Sequence, residues 1–170
     1  VQLGQRGDRL VLAARREQEL SDVARRVGAN ALVVPTDVTR RAEVERLRNR
    51  AIAAFGHIDV WVNNAGRGIG KTVLELSDED FDAIIAVNLK SALYGMQTAV
   101  PHFIARGGGH LINVSSFLSR VPMATFRSVY SASKAALNTL TANLRMGLAV
   151  AHPDIHVSLV DPGGSSSAIF

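Results

Sequence analysis

Ile58-Asp59-Val60-Trp61-Val62-Asn63-Asn64-Ala65-Gly66 decides how the rest of the chain is read. Its first five residues are rich in β-branched and aromatic side chains, which predicts a short buried strand over 58–62. The strand then runs without a spacer into a polar turn. Working outward, the same kind of apolar run recurs at residues 9–14, 31–34, 110–114 and 155–160. Each predicts a further buried strand.

Between these runs the apolar period changes to that of a helix. Leu20, Val23, Ala24 and Val27 share a face over 17–27, and Gly28 stops that helix. A second helix is expected over 43–55, closed by Gly56. Ser77 is a good N-cap, with Asp78, Glu79 and Asp80 in the first turn, where the helix dipole favours acids. That helix runs to about residue 105 and breaks at Gly107-Gly108-Gly109, and a last helix is expected from about 129 to 149. Strands alternating with helices of this length imply right-handed crossovers and a parallel sheet covered on both faces. The fold class is α/β, and residues 1–170 read as one domain without repeat or linker.

With 170 residues the chain can bury roughly two-thirds of its unfolded surface. Hydrophobic residues make up 47% and charged residues 20%, a globular profile and not a disordered one. The absence of cysteine excludes disulfides and thiolate metal sites and permits a reducing compartment. No run approaches the ~18 apolar residues of a membrane helix, and no secretory signal is visible. A cytoplasmic location is the expectation. The net charge of +4 raises the question of nucleic acid. However, Arg40, Arg41, Arg46, Arg48 and Arg50 alternate with Glu43 and Glu45 at helical spacing and lack interleaved aromatics. They read as the outer face of a helix, with no nucleic-acid partner, no membrane partner and no metal.

Tyr130-Ser131-Ala132-Ser133-Lys134 carries the chemistry. It sets a phenol and an ammonium one helical turn apart, and an ammonium held near a phenol stabilises the phenolate for proton transfer. The same spacing is also an ordinary pair on a solvated helix face, so the surroundings decide. In open parallel sheets ligands bind beyond the carboxyl ends of the strands. Arg15-Arg16, Asp37, Asn63-Asn64, Ser115-Ser116 and Asp161-Pro162-Gly163 all stand at such ends.

Taken in order, Asn63-Asn64-Ala65-Gly66, Asn88, Ser115-Ser116, Tyr130-x-x-x-Lys134 and Pro162-Gly163 resemble the short-chain dehydrogenase/reductase family over nearly the whole chain. The resemblance implies a Rossmann-like doubly wound parallel sheet and an oxidoreductase moving hydride between a nicotinamide cofactor and a carbonyl or secondary alcohol. It implies that Tyr130 is the acid or base and that Lys134 tunes it and holds the nicotinamide ribose. Ser116 would bind the substrate oxygen, and Asn88 would help hold a water linking Lys134 to solvent. The spacing from Ser116 to Tyr130 is one residue longer than the family's commonest, so Ser115 is the alternative. A scaffold asparagine is the alternative for Asn88. Asn64, Ala65 and Gly66, with Pro162 and Gly163, are expected along the cofactor, and Asn63, Ala65 and Gly66 to shape the turn it approaches.

At the end of the first visible strand, an acid usually holds the ribose of NAD. This chain has Ala14-Arg15-Arg16 there, and arginine suits the 2′-phosphate of NADP. NADP is therefore expected over NAD, with Arg15 on the phosphate and Arg16 flanking the next helix. Asp37, with Val38 beside it, resembles the family's adenine contact.

The family's first strand and glycine-rich phosphate turn are not seen in residues 1–170, and both ends read as cut. Gly66-x-Gly68-x-Gly70 resembles that turn only superficially, because it follows a later strand. Residues 1–7 resemble the tail of the helix after the turn. Two other readings share these residues: an epimerase or dehydratase using the same tyrosine and lysine, and a non-catalytic fragment or interaction module. The family's helices carrying Asn88 and Tyr130 commonly form interfaces, so a homodimer or homotetramer is expected.

Overall fold

The computed structural model describes residues 2–121 and 124–162. Two compact units divide the chain, Val1–Ile58 and Asp59–Phe170. Within the first, a short helix α1 (Gln2–Gln5) precedes β1 (Leu10–Ala14), α2 (Glu17–Val27), β2 (Ala31–Pro35) and α3 (Arg41–Phe55). β1 and β2 pair in parallel, Leu10 opposite Ala31 and Ala14 opposite Pro35. The Thr36 N–H extends the ladder to Ala14 O at 2.8 Å.

α2 ends where the sequence predicts. Gly28 takes φ +98°, a conformation L side chains rarely adopt, and its N–H reaches back to Ala24 O. α3 buries Val44, Leu47 and Ala51 at helical spacing. On the flank of that stripe half-buried Glu43 lies between Arg40, at the N-cap, and Arg46, at 3.5 and 3.8 Å. Such pairs with largely exposed arginines contribute only ~0.2–1 kcal/mol each, so the apolar stripe and not the charges holds this helix.

The second unit contains β3 (Val60–Asn63), β4 (Gly109–Val114) and β5 (Ile155–Val160), paired in parallel in that order. α4 (Asp78–Ile85) opens on the expected N-cap, Ser77 Oγ accepting from Asp80 N–H, and Asp80 returns a bond to Ser77 N–H to complete a capping box. It continues through a π-helical turn (Ala86–Lys90) into α5 (Ser91–Arg106), and α6 (Ser128–Leu148) joins β4 to β5. The sequence predicts one uninterrupted helix across the π-turn, because apolar period does not register a single i→i+5 turn.

Phe103 of α5, Leu111 of β4 and Leu137 of α6 are almost completely buried. Burying each contributes ~1.5–3 kcal/mol. Asn113 shares the Leu111 face and bonds Thr141 of α6, while its register partner Asn63 bonds Ala92 O of α5. α5 and α6 therefore cover the same face of this sheet. Val60 and Val62, in the opposite phase, are each 51% exposed.

The expected parallel α/β architecture is present, with two details that the sequence leaves open. Among the described residues there are two parallel sheets, β1-β2 and β3-β4-β5. Within the second, two successive right-handed crossovers advance in the same direction and place their helices on one side. The approach of α5 is close: a Cβ at Gly95 would stand 2.0 Å from Asn63 Oδ1 and 2.7 Å from Trp61 Nε1. Any side chain there pushes α5 off the sheet.

Candidate active site

In the second unit the site grows from the ends of β3 and β4. Ser115 follows β4, its N–H continues the ladder to Val160 O, and its hydroxyl is buried. Ser115 Oγ donates to Asn138 Oδ1 at 2.5 Å, with Lys134 O a second acceptor at 3.4 Å. Ser116 is half-buried, and its Oγ accepts from Leu118 N–H at 3.3 Å as the 3-10 turn Phe117–Ser119 opens. The two adjacent serines have different environments. Ser115 pins the strand end to α6, while Ser116 keeps its O–H proton free for another acceptor among the described residues.

α6 brings Tyr130, Ser133 and Lys134 to this end because they lie three or four residues apart on one helical stripe. Tyr130 is half-buried, and no hydrogen bond is made by its hydroxyl among the described residues. Lys134 is buried, with Nζ donating to Val114 O at 2.7 Å. Burial pushes its pKa down from 10.5 to about 8, because removal from water disfavours the ammonium. No Lys134 to Tyr130 hydrogen bond is present in this state.

Asn88 sits in the π-turn, 1% exposed. Its Oδ1 accepts from Arg67 N–H at 2.7 Å, and its Nδ2 donates to Arg67 O at 2.9 Å and Ser133 Oγ at 3.0 Å. Both amide hydrogens are therefore spent on the protein. The side chain clamps the loop after β3 to α6, and Ser133 completes the clamp by donating to Tyr130 O at 2.7 Å.

Gly66 lies inside this junction. A Cβ there would be 3.7 Å from Lys134 Nζ and 3.8 Å from Asn88 Oδ1. Asn64 and Ala65, just before it, are exposed. At the end of β5, Asp161 pairs with Arg120 at 2.9 Å, and Pro162 is exposed. Gly163 lies outside the described residues. A cleft of about 460 Å³ between Arg120, Asn138, Thr141, Ala142, Arg145 and Leu159 includes neither Tyr130 nor Lys134, so it is not the centre of this constellation.

In the first unit, Arg15, Asp37 and Val38 stand past the ends of β1 and β2. Thr39 donates to Asp37 Oδ1 from its hydroxyl at 2.7 Å and its N–H at 3.0 Å. These bonds hold the Asp37 carboxyl below its usual range, with the nearby Arg15 and Arg40 charges adding to the effect. Val38 is half-buried. Arg16 occupies the N-cap position of α2 without a side-chain capping bond and pairs with Glu19 at 3.1 Å, while exposed Arg15 makes no ion pair among the described residues.

Sequence reasoning missed the polar network beneath the second sheet. Trp61 Nε1 donates to Asn63 Oδ1, Asn63 Nδ2 to Asn113 Oδ1, and Asn113 Nδ2 to Thr141 Oγ1, all at 2.8–2.9 Å. Asn113 inside an apolar strand was the available signal, since a buried amide requires partners. Ser133, between Tyr130 and Lys134, carried no such signal. No group of three His, Cys, Asp or Glu able to hold a metal exists among the described residues. None of their helices is long and apolar enough to cross a membrane.

Comparison with known proteins identifies the family. The family model described as short chain dehydrogenase matches residues 1–170. An uncharacterized oxidoreductase of Staphylococcus aureus is 35% identical over 168 residues, covering 98% of this chain and 71% of that protein. The crystal structure of a metagenomic short-chain oxidoreductase in complex with NADP matches with TM-score 0.86 at 36% identity, over 95% of this chain and 74% of that one. A 3-ketoacyl-(acyl-carrier-protein) reductase from Brucella melitensis, complexed with NADH, matches with TM-score 0.85 at 29% identity, over 91% and 64%. The chain belongs to the short-chain dehydrogenase family. Its fold is α/β and Rossmann-like, and its class is that of the NAD(P)-dependent oxidoreductases.

Proposed function

We propose that this protein moves hydride between NADP and a carbonyl or secondary alcohol, with Tyr130 as the proton donor or acceptor. One observation carries the reading: Tyr130 presents a half-buried hydroxyl with no partner among the described residues, one turn before a buried Lys134. A buried ammonium with a single neutral carbonyl partner can accept further polar company, and the ribose hydroxyls of a nicotinamide nucleotide suit it. The bound nicotinamide supplies the hydride; the protein supplies position, a proton and charge stabilisation.

In the reductive direction Tyr130 Oη gives its proton to the carbonyl oxygen as that oxygen gains negative charge. Ser116 holds the same oxygen through its hydroxyl hydrogen. Lys134 opposes the negative charge then left on Tyr130. Asn88 fixes residues 66–67 against α6, and its Oδ1, which accepts from Arg67 N–H, keeps a second lone pair for the water that links Lys134 to solvent.

Arg15 favours NADP over NAD by offering an exposed guanidinium to a 2′-phosphate, while Asp37 takes the adenine end. On this reading Asn64, Ala65, Gly66, Pro162 and Gly163 lie along the cofactor, and the protein assembles through α4, α5 and α6 into a dimer or tetramer. A cytoplasmic location fits the same reading. The test is Tyr130→Phe, in which NADPH binding, followed by fluorescence titration, is kept while turnover drops by ~10²–10⁴. Turnover within a few-fold of the parent would remove Tyr130 from the chemistry.

A further inference from the structure

We propose that Arg127 is a specificity-determining residue, and that the substrate carries a carboxylate a few bonds from its reacting carbon. The inference rests on the oxidoreductase reading for the position of that carbon, at Tyr130. Arg127 is the N-cap residue of α6, three residues before Tyr130 and seven before Lys134. Its link to the reacting carbon runs through the loop after β3: Gly66 adjoins Lys134 and Gly68 adjoins Arg127, and two residues of chain span at most ~7 Å.

The loop after β3 passes both Lys134 and Arg127. Gly66 stands beside Lys134 Nζ, and two residues on, a Cβ at Gly68 would lie 2.3 Å from Arg127 Nη1. The guanidinium thus lies across Gly68 and is held in turn by the Phe126 ring, 5.7 Å from its carbon to the centroid. Arg127 is half-buried, yet no carboxylate pairs with it among the described residues.

Its neighbours differ in this. Lys71, which bridges Arg127 through the backbone, has its charge taken by Asp80, and Arg120 has Asp161. The first turn of α6 carries no acid and its N-cap no side-chain hydrogen bond. A partly desolvated, pre-positioned fork of N–H donors is the group that recognises a carboxylate bidentately. The glycine pattern at 66, 68 and 70, unsuited to a phosphate turn, has a use here: Gly68 leaves the room that the guanidinium occupies.

The test compares 3-hydroxybutyrate with its methyl ester, titrated onto the protein in the presence of NADP and followed through the Arg127 Nε–H resonance and binding isotherms. The acid is expected to bind ~10- to 100-fold tighter than the ester and to shift that resonance. Arg127→Gln is expected to erase the preference, and Gly68→Ala, which keeps the charge but displaces it, to reduce it. Equal binding of acid and ester, or an Arg127→Gln variant that weakens both in step, overturns the proposal. Transfer of hydride from NADPH to 3-oxobutanoate and to its methyl ester is measured separately. Acid preference without any transfer keeps the anion site and rejects the oxidoreductase reading. Transfer to both with no acid preference does the reverse.

Discussion

The polar network beneath the β3-β4-β5 sheet and the cluster at its carboxyl edge are built from similar residues but satisfied to different degrees. Beneath the sheet, Asn63, Asn113 and Thr141 bond one another in a chain and are closed off by helices. At the edge, the hydroxyls of Tyr130 and Ser116 keep hydrogens without acceptors among the described residues. Polar groups that support a fold use up their bonding capacity within it, whereas groups that handle a substrate retain some. Asn88 sits with the second kind and has both amide hydrogens bonded within the protein.

Several substitutions would break or sharpen that contrast. Tyr130→Phe is expected to cost ~3–5 kcal/mol of transition-state stabilisation with the thermal midpoint unchanged, read from kcat and a melt. Asn113→Ala should do the opposite. It removes one acceptor from Asn63 Nδ2, which keeps Ala92 O, and the donor to Thr141 Oγ1, which still donates to Leu137 O, and it leaves a cavity, lowering unfolding free energy by ~1–3 kcal/mol in urea titration. If Asn113→Ala left stability intact, the network would not be the support described.

The adjacent serines give a finer version. Ser115→Ala leaves Asn138 Oδ1 without its donor and costs ~1–3 kcal/mol of stability. Ser116→Ala is expected to leave stability within ~0.5 kcal/mol while lowering kcat/KM ~10- to 100-fold. Reversed outcomes would exchange their roles. Among the strand-end arginines, Arg15→Ala should raise the KM for NADPH ~10-fold with little change for NADH. Arg16→Ala, which loses only the exposed Glu19 pair, should change neither.

The remaining effect is on pH dependence. The Lys134 pKa is lowered in the folded protein, from 10.5 to about 8. Between those values the unfolded chain binds more protons, so this lysine's contribution makes stability rise with pH. Below about 8 both states are charged and the full burial penalty remains. Nζ-detected NMR titration should place the free protein's midpoint near 8, and a midpoint near the ordinary lysine value would mean that the ammonium is hydrated.

Much of this was legible in the sequence because local rules govern it. Gly28, the Ser77 N-cap and the apolar period of α3 set element ends and buried faces directly. Strand-end positions of Ser116, Asn64 and Arg15 followed from the alternation alone. What escaped depends on partners distant in the chain. Ser115 differs from Ser116 because Asn138 of α6 meets one and not the other. The π-turn at Asn88 accompanies bonds to Arg67 and Ser133, which no local periodicity encodes. The sharing of one sheet face by α5 and α6 depends on strand order, which the sequence pattern leaves open.

The most direct test of hydride transfer is product analysis with NADPH deuterated at the transferring C4 position, offered with a panel of ketones. The account predicts one deuterium on the carbinol carbon of the alcohol and one NADP formed per alcohol. An epimerised or dehydrated product, with the cofactor returned unchanged and its label retained, would contradict it.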